Sequence, residues 1–170
     1  MIELATTDSP IGPLTLAARA GRLCLLHFGP EDDHVRRWIR RWYPAMRVVH
    51  SPDPAGAVST LGRYFGGALD VLDDMAVELN GTPFQTRVWQ RLREVRAGST
   101  ASYAELARLA GAAKAVRAVG AANGANPVAV VVPCHRIIGT NGSLTGYGGG
   151  LERKQWLLRH EGAVVAAALF

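Results

Sequence analysis

Apolar residues recur at every second position near the start of this chain, and at three- and four-residue steps through much of the remainder. Ile2 and Leu4, then Leu14 and Leu16, flank a Ser9-Pro10-Ile11-Gly12-Pro13 turn. After a turn at Gly21, the run from Leu23 to Phe28 predicts a third strand. The period changes at Asp32-Asp33, either of which can cap a helix reaching about Tyr43. Val35, Trp38, Ile39 and Trp42 fall at i, i+3, i+4 and i+7 and form one stripe, with Arg36, Arg37, Arg40 and Arg41 on a solvated opposite face. A strand from Met46 to Val49, a Ser51-Pro52-Asp53-Pro54 loop and a second helix complete a small α/β unit. That helix is marked by Val58, Leu61 and Phe65 and ends at Gly66-Gly67.

The pattern shifts near Gly81. Thr82-Pro83-Phe84-Gln85 starts a helix, with Thr as the cap, Pro at the first helical position and Gln three residues after the cap. Its buried stripe is Phe84, Val88, Leu92 and Val95. A short helix capped by Ser102, a turn at Gly111 and an Ala-rich helix over 113–122 predict a helix-turn-helix. The second helix is thin-sided: Ala115, Ala118, Gly120 and Ala121 let a backbone approach closely, and Arg117 is the long cation in its middle. Val128 to Val132 predicts a short buried strand that stops at Pro133, which cannot donate to a sheet ladder. A hairpin-like turn over 139–143 precedes a last helix from about Leu151 to His160; no role is assigned to the apolar tail from Ala163 to Phe170. The expected fold is an α/β N-terminal domain over 1–80 plus a mostly α C-terminal domain over 81–170. The second domain carries a helix-turn-helix and a short buried strand leading to an active-site loop.

That loop contains Cys134. A cysteine among apolar residues is most often a small inert core side chain. Here His135 and Arg136 adjoin it, and positive neighbours favour the nucleophilic thiolate. In extended chain, side chains 134 and 135 point to opposite faces, so a Cys–His pair needs a turn or a bridging water. Cys24 and His27 lack further partners for a metal and read as structural. The glycine-rich stretch Thr145 to Gly150 lacks the Lys-Ser/Thr that ends a phosphate-cradling loop.

Charge sharpens this picture. Residues 1–80 hold eight basic and ten acidic side chains, net −2; residues 81–170 hold eleven and four, net +7. This asymmetry implies a polyanion partner for the second half alone. No apolar stretch approaches the ~20 residues of a membrane span, and no secretory signal is visible. Two cysteines without an export signal predict reduced thiols in the cytoplasm.

Residues 82–162 resemble the C-terminal domain of the O6-alkylguanine-DNA alkyltransferases, the methylated-DNA–protein-cysteine methyltransferases. The likeness rests on FQTRVWQRL, SYAELA, KAVRAVGAANGANPV, VVPCHRIIG and LTGYGGGLERKQWLLRHEG. TTDSPIGPLTLAA resembles the family's N-terminal domain more weakly, implying an RNase H-like α/β domain over 1–80. The resemblance implies direct-reversal DNA repair: a single-turnover transfer of the alkyl group from O6-methylguanine, and from O4-methylthymine, to Cys134. It implies that His135 acts through a water on the thiol, that Glu161 orients His135, and that Asn126 braces the loop. Tyr103 would sit at the phosphate beside the lesion and help protonate the leaving guanine. Arg117 would fill the stack behind a flipped base while the helix-turn-helix, through Ala115, Ala118, Gly120 and Ala121, docks in the minor groove. Tyr147, the Gly148 backbone and Ile137 would line the pocket. Gly148 replaces a Ser of some members, which removes a hydroxyl contact to O6. The zinc ligands of some animal members are missing, so neither metal nor cofactor is expected. The protein would be a monomer on double-stranded DNA, without membrane contact. Two rival readings are a thiol hydrolase using Cys134 and His135, and a lesion-binding protein without catalysis.

Overall fold

The computed structural model describes residues 1–163, so the apolar tail beyond Ala163 lies outside the described residues. The chain divides into two compact units, Met1–Asn80 and Gly81 onward.

In the first unit, β1 (Ile2–Thr7), β2 (Leu14–Arg19) and β3 (Arg22–Phe28) form an antiparallel meander. The turn between β2 and β3 is Ala20-Gly21, both at positive φ, the geometry that matches strand twist in a two-residue hairpin. Helix α1 (Asp33–Trp42) then returns the chain to β4 (Val48–His50), which pairs in parallel with β1. The sheet order is β3-β2-β1-β4. Asp32 is the α1 cap, accepting the Val35 N–H at 3.0 Å. The α1 stripe buries Val35 and Ile39 against Ile2, Leu4 and Leu25. Helix α2 (Ala57–Phe65) buries Tyr64 more deeply than the predicted Phe65.

The second unit begins with α3 (Pro83–Leu92), where Thr82 and Gln85 close a reciprocal capping box. The helix buries Val88, Leu92 and also Trp89, whose indole N–H donates to the Ala122 carbonyl at 2.7 Å. A two-residue strand, β5 (Ala101–Ser102), leads into α4 (Tyr103–Leu109), again through a capping box, Ser102 with Glu105. Ser102→Ala is expected to cost about 1 kcal/mol, visible as a lower urea midpoint at unchanged slope. Helix α5 spans Val116–Gly124, so the predicted start at Ala113 is corrected. Ala112 accepts the Ala115 N–H in a separate turn, which keeps residues 113–115 outside the helix. β6 (Ile137–Ile138) pairs in parallel with β5, and α6 (Leu151–His160) comes after a loop closed by the Gly139 N–H donating to the Ser143 carbonyl at 2.8 Å. A Cβ at Gly139 would stand 2.6 Å from Ser143 Oγ, so a larger residue there would force the Ser143 side chain to move.

Candidate active site

The strand predicted over Val128 to Val132 is instead a tight turn. The Val132 N–H donates to the Val128 carbonyl and the Val131 N–H to the Ala129 carbonyl, both at 2.9 Å. Val130 stands at φ +72°, a region that costs a β-branched residue conformational energy. Asn126 is the reason the turn holds. Its Nδ2 donates to the Val132 carbonyl at 2.7 Å, and its Oδ1 accepts the Val128 N–H at 2.9 Å. Backbone groups at both ends of the turn are thus satisfied without a neighbouring strand. At Pro133 the chain turns again, with the Cys134 N–H donating to the Val132 carbonyl at 2.9 Å. Cys134–Arg136 form one turn of 3-10 helix.

Behind the loop lies a buried ionic cluster. His135 is fully buried and Cys134 is 5% exposed. His135 Nε2 lies 2.8 Å from Glu161 Oε1. Arg136 grips the same carboxylate with a fork, Nε to Oε2 at 2.9 Å and Nη2 to Oε1 at 2.8 Å, and gives Nη1 to the Val95 carbonyl at 2.5 Å. Burial alone would raise Glu161, but the His135 and Arg136 hydrogen bonds and charges outweigh it and hold the carboxyl at about 2. An ionised Glu161 only accepts, so the proton of neutral His135 resides on Nε2. Nδ1 then carries the lone pair; it is buried and has no protein partner. Burial holds His135 below the ordinary histidine value. Glu161 is seated by Gly98, which adopts φ +86° and whose Cβ would come within 3.2 Å of the Glu161 carbonyl.

The electrostatics of the thiol differ from the expectation. Burial pushes Cys134 up, opposed by the Asn126 amide and by the positive charge of Lys154. The adjoining cations do not supply a thiolate: His135 is held neutral and Arg136 is committed to Glu161. The sequence pattern did not single out Lys154, and Arg136, expected to favour the thiolate, instead pairs with Glu161. Lys154 is fully buried, donating Nζ to the Ile137 carbonyl at 2.6 Å and the Thr145 carbonyl at 3.0 Å. Its signal was present: residues 154, 157 and 158 share the buried stripe of α6.

Tyr103, at the start of α4, is half-buried and donates its hydroxyl to the Thr145 carbonyl at 3.3 Å. On α5, Arg117, Ala118 and Ala121 are exposed, while Val119, Ala122 and Asn123 are buried. Gly120 lies under Tyr103, whose ring would be 3.7 Å from a Cβ there, and Ala115 precedes the helix, half-buried. Tyr147 is half-buried and Gly148 exposed; Ile137 is fully buried, so its side chain belongs to the core. Among the described residues, no group of three His, Cys, Asp or Glu side chains is placed to hold a metal, and no helix is long and apolar enough to cross a membrane.

Known proteins resemble the chain over nearly its whole length. A family model for the 6-O-methylguanine DNA methyltransferase DNA binding domain matches residues 83–163. The methylated-DNA–protein-cysteine methyltransferase of Mycolicibacterium paratuberculosis is 49% identical over 164 residues, 95% of this chain and 93% of the relative. That of Salmonella typhimurium is 45% identical over 157 residues, 91% and 92% of the two chains. The crystal structure of Mycobacterium tuberculosis O6-methylguanine methyltransferase superposes with a TM-score of 0.80 at 43% identity, covering 98% of this chain and 96% of that one. The Mycobacterium tuberculosis OGT in complex with DNA gives 0.76 at 44% identity, covering 98% and 97%.

Proposed function

The chain belongs to the methylated-DNA–protein-cysteine methyltransferase family, and from that membership we propose that it repairs O6-alkylguanine in DNA by moving the alkyl group onto Cys134. The observation that carries the reading is His135: its proton is fixed on Nε2 by Glu161, which leaves Nδ1 as a base within a buried site. A thiol pushed up by burial needs such a base, because unassisted it is not the thiolate at neutral pH.

In the proposed step, Cys134 passes its proton through a water to His135 Nδ1. The sulfur lone pair forms the S–C bond while the C–O6 bond breaks, and the departing electron pair stays on guanine, which takes the Tyr103 proton. The thioether has no route back, so each molecule reacts once. Asn126 holds the loop, and Tyr147 and the Gly148 backbone border the space for the base. O4-methylthymine is proposed as a second substrate. Residues 81–170 carry both DNA binding and transfer. The sheet order of the first unit supports an RNase H-like assignment for 1–80. The protein works as a monomer in the cytoplasm.

The exposed face of α5 suits a minor groove, since beyond Val116 at its start and Arg117 it presents only Ala118, Ala121 and Gly124. Arg117→Ala is expected to slow repair of duplex DNA by a factor on the order of ten or more, because unstacking a base costs a few kcal/mol. Reaction with free O6-benzylguanine, which has no stack to open, is expected to stay within about twofold of the parent rate. Pre-steady-state rates on both substrates check this; equal losses would remove the wedge role. The function itself is tested by titrating protein into excess methylated duplex. A plateau of one guanine restored per protein supports it, and repeated turnover points to a hydrolase.

A further inference from the structure

We propose that Lys154 is a positioning residue for alkyl transfer: its buried ammonium ties the Cys134 loop to the carbonyl that anchors Tyr103 and presents a positive charge to the thiolate as it forms. The proposal rests on Cys134 being the alkyl acceptor.

An ammonium with no exposed surface is rare, and burying it without a counter-charge is costly. Lys154 donates to two main-chain carbonyls and, among the described residues, pairs with no carboxylate. Carbonyl dipoles offset only part of that cost, so the site is preorganised for an anion. The anion that transfer creates is the Cys134 thiolate. The Ile137 carbonyl that holds Lys154 belongs to the residue whose own N–H donates to the Cys134 carbonyl, so ammonium and nucleophile are linked by one turn of backbone. Burial brings Lys154 down to about 8 while Cys134 acts in the opposite sense, and Lys154 in turn lowers Cys134.

Other charges near the thiol are already engaged. Arg136 is held by Glu161 and the Val95 carbonyl, and His135 by Glu161. The Tyr103 hydroxyl meets Lys154 on the Thr145 carbonyl, and Tyr147 lies on the same loop. Lys154 thus connects both ends of the reaction, nucleophile and proton donor, without giving up a proton in the step. Its sulfur-side effect is electrostatic, and its Tyr103-side effect is geometric.

Two variants and one measurement on the unaltered protein test this. The rate of Cys134 modification by iodoacetamide, followed at the Cys134 peptide against pH, reports thiolate formation without reference to DNA. Lys154→Met is expected to move the midpoint of that profile upward and to slow methyl transfer at pH 7 by tenfold or more, with the deficit shrinking as pH rises. Lys154→Arg, which keeps the charge, is expected to keep the midpoint near the parent value. Equal midpoints in Lys154→Met and the parent overturn the proposal, as do equal losses in both variants at every pH, which indicate a purely structural tie. Should Lys154→Met fail to fold, the Lys154 Cε resonance is titrated in the parent before and after Cys134 alkylation. Removing the thiolate is expected to lower the Lys154 midpoint; an unchanged midpoint overturns the proposal. A parent protein that never demethylates DNA refutes the proposed function instead, while the iodoacetamide profiles still decide the role of Lys154.

Discussion

Cys134→Ser is expected to abolish alkyl transfer while duplex binding stays within about twofold of the parent protein. A hydroxyl in the same buried loop is far too weak an acid for His135 to ionise, and oxygen is a poorer nucleophile than sulfur toward an alkyl carbon. The substitution is nearly isosteric. The Asn126 bonds that shape the loop are to the backbone of Val128 and Val132 and survive it. The exposed face of α5 is untouched. Transfer assayed by loss of O6-methylguanine, together with affinity by fluorescence anisotropy, checks both halves. Residual transfer in Cys134→Ser would implicate Cys24, which is buried and pushed up to about 11 by that burial.

Glu161→Gln is expected to damage stability as well as rate. The carboxylate receives His135 and both arms of Arg136 in a fully buried setting. Removing one member of a buried pair strands the other charge, at about 3–5 kcal/mol. For a unit of this size, that lowers Tm by on the order of 10 °C or more. The pH dependence has a definite sign. The folded carboxyl sits at about 2, below its ordinary value of 4.5, so its stabilisation is complete above that ordinary value and is lost as pH falls toward 2. The shift corresponds to on the order of 3 kcal/mol. His135, held neutral by burial, adds loss in the same direction as the unfolded chain gains a proton below about pH 6.5. The stability gap between parent and Glu161→Gln should therefore be widest above pH 5 and close as pH approaches 2. Denaturant midpoints across that range measure it. A gap independent of pH would mean that the carboxylate charge is not what holds the cluster.

Much of this arrangement was legible in the sequence where the information is local. The Thr82/Gln85 and Ser102/Glu105 spacings marked helix starts that the structure realises as capping boxes, and the bounds of α6 could be read from its flanking glycine and apolar stripe. The turn at Val128 to Val132 was not legible, because four valines favour a strand. What overrides them is the Asn126 side chain, which satisfies backbone groups at both ends of the turn. The start of α5 was misplaced because alanine suits a helix interior and the turn before it alike. The burial of Arg136 and Lys154 was not legible for a different reason. Charged side chains are usually solvated, and only partners 25 and 17 residues away in the chain make their burial tolerable. The cation whose charge reaches the thiol, Lys154, therefore depends on tertiary structure, and adjacency to Cys134, which pointed to Arg136, was a poor guide to it.

Everything proposed for this site requires that Cys134 itself accepts the alkyl group, once. The decisive measurement is peptide mass spectrometry after incubation of the protein with an excess of duplex containing O6-methylguanine. The expected result is full conversion of the Cys134 peptide to the S-methylated form, an unmodified Cys24 peptide, and one guanine restored for each methyl gained. A methyl group on Cys24, or DNA demethylated while the Cys134 peptide stays unmodified, would contradict it.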